Sequence, residues 1–345
     1  REYAEKRMRW EPIYEVTQMK GDGETHPFLS PDDEFADFET WDKANLAMLE
    51  IHKDEYYKTE YARSALQLGI QQENKLAVNP FKFGMIGSTD SHTALAAIEE
   101  DNFFGKHSGG EPSKDRYKHS MAKVGDLEYA GYSMVSSGWA AVWANENTRG
   151  SIFDAMKRRE TYATTGSRMI GRFFGGWDFG EGMHKDADVV SKAYKNGVPM
   201  GGDLPAKPAN LKAPTFAVWA LKDPDSGNLD RVQIIKVWAH PANGLPMEKI
   251  YDVVWSDDRK PDATTGKLPP VGNTVDVKKA TYTNAIGDTQ LSAMWTDPDF
   301  KPETSAAYYV RVLEIPTPRW STYDSARNNL PLSTAVPATH QERAW

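Results

Sequence analysis

The chain contains no cysteine. Disulfides, thiolate-bound zinc and a thiol nucleophile are therefore excluded. The absence does not fix a compartment, since cytoplasm and periplasm both tolerate Cys-free proteins, and localisation stays open. Long hydrophobic runs are missing too. A bilayer-spanning helix needs about 20 apolar residues. The nearest stretch, Tyr129 to Ala144, is broken by Gly131, Ser133, Ser136, Ser137 and Gly138 and reads as a loop or core segment. There is no Lys/Arg run, and the net charge is −8, so the electrostatic footprint of a nucleic-acid binder is lacking. The acidic balance itself speaks to solubility. The opening Arg1-Glu2-Tyr3-Ala4-Glu5-Lys6-Arg7 has no signal-peptide pattern and no initiator Met. It reads as the interior of a helix, and the expectation is a fragment or processed product.

What is present is an ordinary globular composition, 39% hydrophobic and 26% charged. At 345 residues two domains are expected, because a single core seldom grows past about 250–300 residues. Residues 1–167 alternate between β-like and helical patterns. Pro12 to Gln18 is rich in β-branched and aromatic residues and predicts a strand, closed by a turn at Lys20–Glu24. Asp42 to Ile51 and Tyr56 to Ala77 show helical spacing, the second stopped by Asn79-Pro80. Phe81 to Gly87 predicts the next strand. Strand, helix, strand favours a parallel α/β sheet or barrel. Residues 100–128 are polar and read as a long excursion over the barrel mouth. Asn147 to Thr161 predicts a helix capped by Asn147 or Thr148. From 168 to 345 strand-like runs alternate with turns, at Thr215–Leu221, Arg231–Ala239, Lys249–Trp255, Thr274–Lys279 and Ala306–Ile315. A β-sandwich is the natural expectation there.

The sharpest chemical signal is Gly87-Ser88-Thr89-Asp90-Ser91-His92. A strand runs into a tight turn, and a carboxylate and an imidazole two residues apart can both face one pocket. That is a common way to offer two ligands to a divalent metal. In a barrel, the loop after a strand is where chemistry sits. The competing reading is a turn Asp that caps a backbone N–H, with a surface His. Glu15 lies inside the first strand, and Gln18, Lys20, Glu24 and His26 follow closely, a density of polar groups that suggests a shared pocket. His107 and His119 lie in the excursion, within reach of such a site but not fixed there by anything in the sequence. His52 reads as structural. His184, His240 and His340 read as unconnected with chemistry. Arg149 and Arg159 flank the helix that ends in Tyr162-Ala163-Thr164-Thr165-Gly166, where a guanidinium can grip an anion with two prongs. Trp177, Trp219, Trp238, Trp255 and Trp320 suit a sugar-stacking platform, though such residues more often fill a core.

The Gly87–His92 segment resembles the late Asp-x-His motif of the polymerase-and-histidinol-phosphatase (PHP) superfamily. Longer stretches, among them Tyr14 to Gly21, Asn79 to Gly84, Arg158 to Gly166, Gly197 to Leu204 and Leu313 to Trp320, resemble the bacterial DUF3604 family across nearly the whole chain. The resemblance implies an α/β fold, the C-terminal part of a PHP-like distorted TIM-type barrel over 1–167, followed by a β-sandwich over 168–345. It implies a metal-dependent hydrolase, most directly a phosphoesterase acting on a small anionic substrate. Asp90 and His92 carry over as metal ligands, with Glu15, Glu24 and His26 as further candidates, and Asp90, Arg149 and Arg159 as catalytic or substrate-holding groups. Mn, Zn and Fe all suit such a mixed N/O ligand set. The superfamily's N-terminal His-x-His strand has no counterpart here, which implies that an upstream segment of the same protein completes the barrel. The alternative is a non-catalytic binding or scaffold protein with a degenerate barrel and a ligand-binding β-sandwich. A hydrolase of sulfate or amide bonds would need the same groups.

Overall fold

Antiparallel pairing dominates the architecture, seen in a computed structural model that describes residues 1–45, 47–95 and 97–345. One parallel pair stands apart. The strand Ile13–Gln18 lies beside Gly84–Gly87, with Ile13 opposite Gly84 and Glu15 opposite Ile86, and it also pairs antiparallel with the short strand Gly21–Asp22. A parallel pair needs a crossover, and the helix Ala62–Leu76 supplies it. That helix buries Ala62, Arg63, Gln67 and Ile70 and stops at Ala77, whose φ of 56° is left-handed, just before Asn79-Pro80.

The centre of the molecule is a six-stranded sheet. In spatial order its strands are Pro246–Trp255, Leu229–Ala239, Ala306–Glu314, Arg343–Ala344, Thr161–Thr164 and Trp139–Val142. Both faces are covered. On one, Ile235, Val237 and Tyr309 pack with Val16, Ile70, Met85 and Trp345 against the parallel unit. On the other, Val232, Val312 and Ala344 pack with Val218, Ala220, Leu291 and Ala293 of a four-stranded sheet. That second sheet runs Gln290–Thr296, Thr215–Leu221, Ile170–Gly176, Gly197–Pro199. Tyr309 and Val310 point to opposite faces, as strand alternation requires. The near-continuous apolar run Val232–Val237 is explained by this two-sided burial.

These facts correct the expected fold class. Among the described residues no closed barrel forms: the sheet holding Ile13–Gln18 has three strands and two edges, and the strands after Gly87 pair antiparallel. The strand–helix–strand pattern at the start is real, but it does not recur, and a barrel needs it to recur until the sheet closes. The central sheet draws two strands from before residue 167 and four from after it. Two local expectations also differ. Among its described residues, Asp42–Ile51 forms turns with a bridge between Ala44 and Ile51, because the backbone N–H groups of Lys43 and Ala44 donate to the Tyr129 hydroxyl. Thr274–Lys279 forms an isolated bridge between Asp276 and Thr281 instead of a ladder. Residues 100–128 contain short 3-10 turns and the start of the hairpin Ser120–Val124/Leu127–Ala130. The helix Arg149–Lys157 is capped by Thr148, whose hydroxyl accepts from Ser151 N at 3.3 Å. Among the described residues no helix is long and apolar enough to cross a membrane.

Candidate metal and anion site at the end of the parallel pair

Parallel strands deliver their C-terminal ends to the same side, so the segments after Gln18 and after Gly87 emerge together. Ser88 N donates to Thr17 O at 3.0 Å and Met19 N to Thr89 O at 3.4 Å, which locks the two exits in register. Gly87 is needed for close approach: a Cβ there would fall 2.8 Å from the carbonyl oxygens of Thr164 and Trp139. The exits therefore press against the edge of the central sheet. Asp90 then adopts φ 52°, a left-handed conformation that Asp tolerates better than most residues and that turns the chain sharply.

That turn gathers five side chains. Asp90 Oδ2 accepts from Lys20 Nζ and lies 2.5 Å from Lys106 Nζ. Asp90 Oδ1 lies 3.3 Å from His92 Nε2. His92 N donates to Lys106 O at 2.8 Å, and the His92 and His107 rings meet edge to face with centroids 4.9 Å apart. Burial pushes the Asp90 carboxyl up, but the hydrogen bonds and charges of Lys106 and Lys20 outweigh it and hold the group down at about 2. Burial lowers Lys106, against the pull of Asp90. Burial, His92 and Lys106 lower His107, which favours its neutral ring. Lys106 is buried while His92 is exposed, so the cluster has a closed floor and an open mouth.

The donor set fits a divalent metal in one respect. A hard carboxylate oxygen and a borderline imidazole nitrogen converge with a second imidazole beside them, while the other carboxylate oxygen is committed to two ammonium groups. The lysines make the same place attractive to an anion.

The other anticipated residues are distributed unevenly. Glu15 is brought close: its carboxylate accepts from the Ser88 hydroxyl, two residues before Asp90. A cleft of about 240 Å³, lined by Glu15, Gln18 and Lys20 among others, runs along the same strand. Glu24 is fully buried among Arg63, Arg311, Tyr309 and Trp345. His26 stacks on Tyr57 at 4.1 Å; its Nδ1 accepts from Phe28 N, and its Nε2 lies 3.4 Å from Asp42 Oδ2. Arg149 is exposed at the start of its helix. Arg159 has φ 65° and donates to Lys82 O at 3.4 Å, and its backbone oxygen fills the space that a Cβ on Gly201 would need. Trp320 lies in the core and donates to Met134 O.

Lys106 is the member that sequence reading passed over. Nothing in its surroundings marks it, because its contact with Asp90 depends on a loop returning alongside His92. The parallel bridge between His92 and His107 fixes the second imidazole in the same way.

The family model described as Protein of unknown function (DUF3604) matches residues 1–345. An uncharacterized protein of Chlamydia trachomatis serovar D is 33% identical over 109 residues, 30% of this chain. The match spans 16% of the length of that relative. No solved structure matches. With the match running from the first residue to the last, the chain belongs to the DUF3604 family.

Proposed function

We propose that the Asp90 cluster is the site of a metal-dependent hydrolase acting on a small anionic ester, most directly a phosphoester. The observation that carries this reading is the convergence of Asp90 Oδ1 and His92 Nε2, 3.3 Å apart, beside two lysines. The likeness of Gly87–His92 to the Asp-x-His motif of the PHP superfamily supports it. A bound divalent cation supplies Lewis-acid polarisation and activates water; Mn, Zn and Fe suit the ligands. The chain's own residues do the rest. Lys20 and Lys106 trade Asp90 for an incoming phosphoryl oxygen and orient it by hydrogen bonds. Neutral His107 offers a lone pair for a proton. Glu15, through Ser88, keeps the strand exit in place.

The test is elemental analysis of the purified chain together with turnover on a phosphoester panel. Bound transition metal and turnover are expected, and Asp90→Ala should lose turnover together with the metal held at this cluster. Full turnover by metal-free protein ends the proposal.

A second reading is a non-catalytic binding protein. One observation favours it: both Asp90 oxygens already have protein neighbours. It predicts no turnover on the panel and anion binding that survives Asp90→Ala.

A further inference from the structure

A second cluster lies apart from the Asp90 ligands. Glu100 sits in the 3-10 turn Glu100–Asn102, His340 in the short strand Thr339–His340, and Glu342 two residues on. All three are buried, with side chains 7%, 4% and 5% exposed. Each carboxylate commits one oxygen to the protein. Glu100 Oε2 accepts from Trp320 N, and Glu342 Oε2 accepts from the Thr165 hydroxyl. The remaining oxygens face the imidazole: His340 Nε2 is 3.5 Å from Glu100 Oε1 and 3.3 Å from Glu342 Oε1. One ligand atom from each residue lies within 4.8 Å of the others. Among the described residues, Glu100 Oε1 and His340 Nε2 have no hydrogen-bond partner. A buried polar atom without a partner costs roughly 1–3 kcal/mol and calls for an explanation.

The surroundings orient this trio. His340 Nδ1 is turned to Glu39 Oε1 at 3.3 Å, and Glu39 is itself gripped by Arg319 through Nε at 2.8 Å and Nη2 at 3.1 Å. A carboxylate behind a histidine, fixing its tautomer and aiming its free nitrogen, is the usual support for a metal-binding imidazole. The charge also points to a cation. Three carboxylates, of Glu39, Glu100 and Glu342, crowd the buried His340 ring with one guanidinium, Arg319. Carboxylates packed this closely hold either protons or a cation in their place. Gly166 leaves room beside the trio, since a Cβ there would stand 3.1 Å from Glu342 Oε1.

We infer that Glu100, His340 and Glu342 form a buried binding site for one divalent transition-metal ion, taking up Zn²⁺ or Mn²⁺ through two carboxylate oxygens and one imidazole nitrogen. The site is structural. It pins the C-terminal segment to the Glu100 turn, more than two hundred residues away along the chain. The three ligand side chains are buried, while Glu100 also borders a cavity of about 810 Å³. A proton is the competitor: burial pushes the Glu100 carboxyl up to about 8, with His340 opposing and Glu342 adding.

The experiment uses the full chain carrying Asp90→Ala and His92→Ala, which silences the other candidate ligands. Protein grown with supplementary Zn²⁺ or Mn²⁺ and dialysed exhaustively is analysed for metal content and thermal stability. One retained equivalent is expected, with a higher melting temperature than the chelator-treated sample. Glu342→Gln and His340→Gln in that background should each lower retention at least tenfold, and Glu39→Gln roughly 10–100-fold. A folded Asp90→Ala/His92→Ala protein with no retained metal overturns the inference. So does undiminished retention in Glu342→Gln. If His340→Gln fails to fold, Glu342→Gln, which keeps size and shape, still decides. Loss of turnover in Asp90→Ala alone bears on the hydrolase proposal and leaves this metal measurement independent.

Discussion

Arg311 Nη1 donates to both carboxylate oxygens of Glu24, at 3.1 Å each, in the fully buried centre of the molecule. Glu24 also accepts from Arg63 Nη2 at 2.7 Å, the Tyr309 hydroxyl at 2.6 Å and Trp345 Nε1 at 2.5 Å. Asp33 shares both guanidiniums. Burial works against the charge on Glu24, but Arg311 and Arg63 overcome it and hold its carboxyl below the ordinary range. This network joins the loop after the first strand to the crossover helix and the central sheet, so it sets where the parallel pair sits.

Glu24→Gln places an amide N–H where two guanidiniums already donate, and it leaves them with Asp33 and, for Arg63, Glu248 as carboxylate partners. Breaking a buried ion pair by removing one partner costs about 3–5 kcal/mol. Urea unfolding of Glu24→Gln should show a loss of that size. A loss under about 1 kcal/mol would mean that the network does not hold the fold together.

The Asp90 cluster makes a different prediction. Lys106 and Lys20 stabilise the Asp90 carboxylate, so its folded pKa of about 2 lies below the unfolded value of about 3.9. The stability it adds is fully present above about pH 4 and is lost as pH falls through about 2. Lys106→Met, which keeps the length of the side chain and removes the charge, should move the carboxyl resonance of Asp90 toward the ordinary titration range in an NMR experiment. If Lys106 also holds substrate as proposed, kcat/KM for a phosphoester should fall at least tenfold, and thermal stability at neutral pH should drop as the Asp90 carboxylate loses a partner. An unmoved Asp90 titration would show that Lys20 alone sets its charge.

Much of this was legible before any coordinates, and the parts that were not share one cause. The strand at Ile13–Gln18, the crossover helix, the Thr148 cap and the long strands near Thr215, Arg231 and Ala306 all announce themselves through local periodicity. Asp90 and His92 were visible because two residues of spacing place them on one turn. His340-Gln341-Glu342 has the same two-residue spacing at a strand end, and the reasoning applied to Asp90 would have marked it. What the sequence concealed was pairing across distance. Glu24 reads as a solvated or ligating acid until Arg311 and Arg63 arrive from far along the chain. Lys106 and His107 look like loop residues until the backbone returns beside His92. The barrel expectation failed for the same reason: whether a strand pairs parallel or antiparallel is decided by a partner that local pattern does not reveal.

A last prediction concerns the rise from acid to neutral pH. Arg116 is committed to Asp324, donating from Nε at 2.5 Å and Nη2 at 2.6 Å, and approaches Glu111 only at 3.7 Å. Glu111 is half-buried beside this pair, and its Oε2 has no hydrogen-bond partner among the described residues. Burial pushes its carboxyl up to about 7, with Arg116 opposing and Asp324 adding. The folded value therefore lies above the unfolded value of about 4.3, and between the two the folded protein holds a proton that the unfolded chain has released. Stability must fall as pH rises across that window. The contribution is whole below about pH 4 and gone above about pH 7. Glu111→Gln mimics the protonated form at every pH, so its melting temperature should match the parent at pH 4 and exceed it at pH 8. Because other buried acids titrate in both proteins, the difference between the two curves isolates Glu111. Parallel curves from pH 4 to 8 would show that Arg116 keeps Glu111 ionised after all.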